Sequence, residues 1–225
     1  MVTICEGIMR ILSFIYYLIT SFRNFLYDKG VLPARKVSGV EIICIGNITV
    51  GGTGKTPAVQ YFTKKLQKMG RKVAVVSRGY RGKRKREPLL VSDGREIFAT
   101  TRESGDEPFI HALNLKVPVI VSSNRYKGCL FAKKHFGVDT IVLDDGFQHR
   151  KLSRDRDIVL IDATNPFGWG ELLPKGMLRE DFKKAAKRAS EFIITKSDLV
   201  SDREVERIKK YLRKKLEKEV STAKH

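Results

Sequence analysis

The chain of 225 residues, 42% hydrophobic and 31% charged, is long enough for one α/β core with little besides. Its 44 Lys and Arg against 25 Asp and Glu leave a formal charge of +19, which implies an anionic partner: nucleic acid, an acidic membrane or a phosphorylated small molecule. Cys5, Cys44 and Cys129 are widely spaced and free of any CxxC or paired-His pattern, which excludes a disulfide framework and a zinc site and points to a reducing compartment.

The first element is an uncharged, mostly apolar run over 11–22, bracketed by Arg10 and Arg23. Twelve helical residues extend about 18 Å, short of a hydrocarbon core of about 30 Å, so a transmembrane span is not expected. A signal peptide is not expected either, because Glu6 sits where a basic region belongs and no small-residue cleavage site follows. Ile8, Ile11, Leu12, Ile15, Ile19, Phe22 and Leu26 recur at three- and four-residue steps, opposite Arg10, Ser13, Tyr17, Thr20, Ser21 and Asn24. This predicts an amphipathic helix over 1–28, either docked on the protein's own core or lying in a membrane interface.

From residue 41 onward apolar, β-branched runs at 41–45, 72–76, 117–121, 140–143, 158–161 and 192–195 alternate with helical patterns at 55–69, 107–115, 125–135, 181–189 and 202–218. That alternation predicts a parallel sheet with crossover helices in a three-layer α/β sandwich, and one domain over 29–225. Residues 78–106 and 163–180 read as loops at the carboxyl ends of strands, where open α/β sheets bind ligands.

Thr49-Val-Gly-Gly-Thr-Gly-Lys-Thr56 stands directly after the first strand pattern and before a helical one, the context of a phosphate-binding loop in a P-loop NTPase-like fold. Thr49, Val50, Gly51, Gly52, Thr53 and Gly54 would cradle phosphates with their amides, Lys55 would reach the terminal phosphates, and Thr56 would ligate Mg²⁺. Thr49 replaces the usual first glycine, so a looser start to the loop is expected. The strand TIVL ends in Asp144 and Asp145, the expected partners of the metal, with Asp162 as the competing strand end.

Asp144-Asp-Gly-Phe-Gln-His-Arg150 resembles the DDGFQHR motif of the lipid A 4′-kinase family. GNITVGGTGKTP at 46–57, SRGY at 77–80, GDEP at 105–108, NRYKG at 124–128 and LLPKGMLRE at 172–180 occur in that family's order. The resemblance covers roughly residues 8–200 and implies transfer of the ATP γ-phosphate to the 4′-hydroxyl of a tetraacyl glucosamine disaccharide 1-phosphate. The expected setting is the cytoplasmic face of the bacterial inner membrane. It implies Asp106 as the catalytic base, a carboxylate that could otherwise cap the helix behind it. Gln148 and Glu180 are implied near the metal and nucleotide, Gln148 as a metal ligand and Glu180 as a substrate-binding residue. Arg78, Arg81, Arg125, His149 and Arg150 lie in or beside the motifs, and guanidinium groups suit phosphate bidentately. The family continues into a second lobe, so this chain is expected to hold the N-terminal lobe alone.

Between Arg71 and Arg86 eight basic residues and no acidic ones could follow anionic lipid headgroups or form a solvated loop. One aromatic there, Tyr80, is poor for base stacking, so no specific nucleic acid is expected. Thr195-Lys-Ser-Asp198 sustains an alternative, because [NT]KxD is how many P-loop GTPases recognise guanine: a GTP-driven, metallochaperone-like switch. A basic nucleic-acid-binding ATPase is the remaining alternative.

Overall fold

The structure is a computed structural model and describes residues 2–84 and 86–224; Lys85 of the basic run lies outside the described residues. In chain order the elements are α1 (Val2–Asp28), β1 (Glu41–Asn47), α2 (Lys55–Lys68), β2 (Val73–Ser77), β3 (Leu89–Ser92), α3 (Thr101–Ser104), α4 (Asp106–Asn114), β4 (Val119–Val121) and α5 (Arg125–Phe136). They continue as β5 (Thr140–Asp144), β6 (Arg156–Asp162), α6 (Phe182–Arg188), β7 (Glu191–Thr195), α7 (Asp202–Leu216) and β8 (Glu219–Thr222). The elements form two compact units, one of residues 34–46 and 55–156, the other of residues 1–33, 47–54 and 157–225.

In the unit of 34–46 and 55–156 the strand order is β3-β4-β2-β5-β1. β4, β2, β5 and β1 run parallel, buried along their length because Val, Ile and Leu fill both faces. The register Ile45↔Asp144 brings the carboxyl ends of β1 and β5 level, which places Asp144 and Asp145 at the ligand-binding edge. α5 is stopped at both ends by local chemistry: the Asn124 side chain accepts from the Lys127 amide, and Gly137 closes the helix in the left-handed region.

In the other unit β6, β7 and β8 are parallel. The Ser201 side chain caps α7 by accepting from the Glu204 amide, as the Ser-Asp pair predicts. α6 starts on Asp181, whose carboxylate accepts from the Lys184 amide.

Two strands correct the expected loops and ends. The segment 78–106 holds β3, an edge strand antiparallel to β4, together with the short α3. The pattern expected to continue as helix to residue 218 ends at Leu216, and the chain then adds β8 beside β7.

α1 runs as 27 residues, and its polarity is the reverse of a core helix. Ser13, Thr20 and Asn24 are 5–7% exposed, whereas Ile11, Phe14, Ile19, Phe22 and Phe25 are 52–64% exposed. The polar face of the helix, not the apolar one, meets the protein. Among the described residues no helix is long and apolar enough to cross a membrane.

Candidate active site

Between the end of β1 and the start of α2 the chain makes the glycine-rich loop. Gly51 and Gly54 take φ of 112° and 79°, a region that side chains rarely adopt, which is why the motif needs glycine there. Thr53 is buried and fixes the loop from inside: its hydroxyl accepts from Asn47 Nδ2 (2.9 Å) and its carbonyl accepts from Thr195 Oγ1 (3.0 Å). Thr49 and Val50, expected at the nucleotide, are engaged elsewhere. Thr49 is 7% exposed and forms an antiparallel bridge with Leu178, and the Val50 amide donates to the Met177 carbonyl at 2.8 Å. The exposed Gly51 and Gly52 and the half-buried Gly54 are what the loop leaves for phosphates.

Lys55 opens α2, is 8% exposed, and holds its Nζ 4.0 Å from Asp145 Oδ1. Asp145 follows β5 with φ 49°, a left-handed conformation uncommon outside glycine; such strain persists where the surrounding structure over-determines it. Asp144, expected to share the metal with Asp145, is fully buried. Its Oδ2 accepts from Ser77 Oγ (3.1 Å) and lies 3.4 Å from His111 Nε2, while Oδ1 has no hydrogen-bond partner among the described residues. Gln148 and Thr56 are half-buried, on the turn after β5 and in the first turn of α2. Among the described residues no three His, Cys, Asp or Glu side chains gather into a metal cage. Magnesium on a nucleotide takes most of its oxygens from phosphate and water, so a hydroxyl and a carboxylate are what the protein need supply.

Asp106 is the first residue of α4 and is exposed; the helix is capped by Gly105, with no side-chain cap bond, so the capping alternative for Asp106 does not hold. The motif singles out Asp106 and leaves its neighbour Glu107 without a role. Glu107 is half-buried, and burial together with the charges of Asp144 and Asp145 raises its pKa, partly offset by Lys55. His111, one turn on, shares that helix face and is fully buried against Asp144. The four-residue spacing of Glu107 and His111 is the signal of this pair that the sequence carries.

Arg125 and Arg78 form the cationic side, with His149 beside them. Arg125 is 4% exposed, and burial and the charge of Arg78 pull its pKa down to about 10. His149 is pushed down to about 4 by burial and by Arg125, Arg154, Lys151 and Arg78, so it is a neutral imidazole at neutral pH, and its buried Nε2 has no hydrogen-bond partner among the described residues. Positive groups held against one another invite an anion. Inorganic phosphate at about 100 times its Kd should raise stability by about 2.7 kcal/mol. Arg125→Met should reduce that gain, to what the glycine loop alone contributes, while leaving the unliganded melting temperature unchanged or higher, since an apolar replacement removes a buried, repelled charge. Thermal melts with and without phosphate check this.

Glu180 is enclosed by protein partners. It is 1% exposed, accepts from Asn24 Nδ2 at 2.7 Å, and receives Arg188 Nη2 on both oxygens at 2.9 and 3.0 Å. The TKSD segment is largely committed to structure: the Thr195 hydroxyl donates to Thr53, and Lys196 pairs with Asp162, leaving Asp198 exposed.

A family model described as LpxK, tetraacyldisaccharide-1-P 4′-kinase, matches residues 5–225. The tetraacyldisaccharide 4′-kinase of Halothermothrix orenii is 45% identical over 213 residues, 92% of this chain and 55% of that protein. That of Geobacter sulfurreducens is 40% identical over 193 residues, 84% and 54% of the two. Among solved structures, LpxK from Aquifex aeolicus in complex with ATP superposes with a TM-score of 0.77 at 40% identity, over 84% of this chain and 58% of that one. FtsY of Mycoplasma mycoides, at TM-score 0.50 and 17% identity over 84% of this chain and 60% of that one, shares the fold alone. The chain spans about half the length of the curated relatives it matches. Its glycine loop, buried lysine, paired aspartates and basic side chains are carried by the same motif series, and on the match from residue 5 to residue 225 the chain belongs to the tetraacyldisaccharide-1-P 4′-kinase family.

Proposed function

We propose that the chain binds Mg-ATP and transfers its γ-phosphate to the 4′-hydroxyl of a tetraacyl glucosamine disaccharide 1-phosphate in lipid A synthesis, working peripherally on the cytoplasmic face of the bacterial inner membrane. The observation that carries this is Lys55, buried at the foot of α2 with its ammonium 4.0 Å from Asp145. Phosphoryl transfer asks the protein mainly for position and charge. The amides of 51–54 and the α2 N-terminus hold the phosphates, and Lys55 neutralises the terminal ones.

Thr56 and Asp145 offer hard oxygen donors for magnesium, Gln148 a further one, and the unpartnered Oδ1 of Asp144 is an acceptor left for a metal-bound water. When bound, the ion neutralises charge on the phosphate oxygens. Asp106, exposed and making no cap bond, accepts the proton of the sugar hydroxyl. Arg78, Arg125 and His149 bind a phosphate of the lipid.

The exposed apolar face of α1 fits a lipid surface because its hydrophobic side chains rise at three- and four-residue steps with Arg10 and Arg23 beside them. Ile19→Ser with Phe22→Ser should weaken binding to anionic vesicles about 100-fold, at about 1.5 kcal/mol or more per side chain. Flotation that is unchanged in this double variant would show that α1 is covered by something other than lipid. The catalytic reading is tested by ³²P transfer from ATP to the tetraacyl disaccharide 1-phosphate in detergent micelles; a preference for GTP that Asp198→Asn removes would favour the nucleotide-switch reading instead.

A further inference from the structure

α1 presents polar groups to one short stretch of chain. Ser13 Oγ donates to the Leu172 carbonyl and accepts from the Lys175 amide, both at 3.0 Å. Tyr16 OH donates to the Arg179 carbonyl at 2.8 Å, and Asn24 donates to the buried Glu180. The middle of that stretch is joined to the start of the glycine loop. The Arg179 amide donates to the Ile48 carbonyl and the Val50 amide to the Met177 carbonyl, both at 2.8 Å, flanking the Thr49–Leu178 bridge. Arg179 thus takes the helix on its carbonyl and the loop on its amide.

We propose that Tyr16 and Asn24 are positioning residues for nucleotide binding: through the strap 172–180 they hold Ile48–Val50, and with them the phosphate loop, in its binding conformation. The inference rests on the reading of 49–56 as a nucleotide site. It accounts for two facts the motif left open. Thr49 stands where a glycine usually tightens the turn, and the start of the loop is instead held from outside by a bridged segment. The face of α1 turned to the protein is polar because what it meets is a row of carbonyls, an amide and a carboxylate, which demand hydrogen-bonding partners once buried. A helix that met the core only for packing would bring its Ile and Phe side inward.

The test measures ATP affinity with a fluorescent ATP analogue, in buffer without vesicles, on the full chain and on Tyr16→Phe, the double variant Tyr16→Phe with Asn24→Ala, and Tyr17→Phe. Tyr17 lies on the same helix and accepts from Lys184 at 3.3 Å, but touches neither strap nor loop in any described hydrogen bond. The double variant should bind ATP about tenfold more weakly and Tyr16→Phe about three- to fivefold, the effect of one or two lost hydrogen bonds. Tyr17→Phe should leave ATP affinity within twofold even where its melting temperature falls as far. ATP affinity unchanged in the Tyr16 variants, or lowered equally by Tyr17→Phe, overturns the proposal. Should the double variant fail to fold, Tyr16→Phe, which removes a single oxygen atom, decides alone. Absence of ATP binding in the parent chain would overturn the nucleotide-site reading itself, and this inference with it.

Discussion

Lys55→Ala is expected to weaken Mg-ATP binding by about 10²–10³-fold and to bring phosphoryl transfer below detection. The loss is large because two effects act together. The ammonium is buried, so the attraction it gives a phosphate is screened far less than at a surface. Its removal also leaves the carboxylate of Asp145, now 4.0 Å from an empty position, repelling the terminal phosphate. Removing one member of a buried pair costs more than removing both. With magnesium withheld, so that Asp145 holds no cation, Lys55→Ala combined with Asp145→Asn should therefore recover about tenfold of the lost affinity for free ATP, a non-additivity that calorimetry of the four proteins in the cycle reads directly. Binding by Lys55→Ala within threefold of the parent would remove the lysine from the nucleotide site and take the central support from the kinase reading.

Much of this arrangement is written in the sequence because it depends on local rules. Buried parallel strands declare themselves as runs such as EIICIG and TIVLD, and the loop between β1 and α2 by glycines whose φ no other residue takes at low cost. β3 and β8 escape such a reading because they are short edge elements. Leu89 and Leu90 follow a basic, glycine-containing stretch, and Val220 is the one buried residue of β8, so neither shows a period. The face of α1 is illegible for a different reason. Amphipathicity says that two sides differ, not which one the protein receives, and here the receiving surface is a row of polar groups on 172–180 that only the folded chain assembles. The same holds for Asp144 and Glu180. Their motif positions imply ligand contacts, and the folded chain adds partners that the motifs do not announce, Ser77 and His111 beside Asp144, Asn24 and Arg188 beside Glu180, most of them distant in sequence.

Asp106→Asn should lower single-turnover transfer from ATP by about 10²–10⁴-fold while leaving the affinity for ATP within about twofold, the signature of a lost general base. The competing candidate is its neighbour. Glu107 is half-buried, has a raised pKa and feels Lys55, Asp144 and Asp145, which on electrostatic grounds makes it the better-tuned base. Its surroundings argue for a different role, since a carboxylate that senses the lysine and the aspartate pair competes with the triphosphate for the same positive charge. Glu107→Gln should accordingly tighten ATP binding and leave the transfer step within tenfold. Asp106 sits one residue earlier on a backbone that is held tightly, because Gly105 has φ 87° and a Cβ there would lie 2.5 Å from the Tyr80 carbonyl. Gly105→Ala should then mimic Asp106→Asn in the transfer rate by displacing the carboxylate without removing it. If Glu107→Gln abolishes transfer and Asp106→Asn does not, the roles are exchanged, and the position that burial singles out prevails over the one the motif singles out.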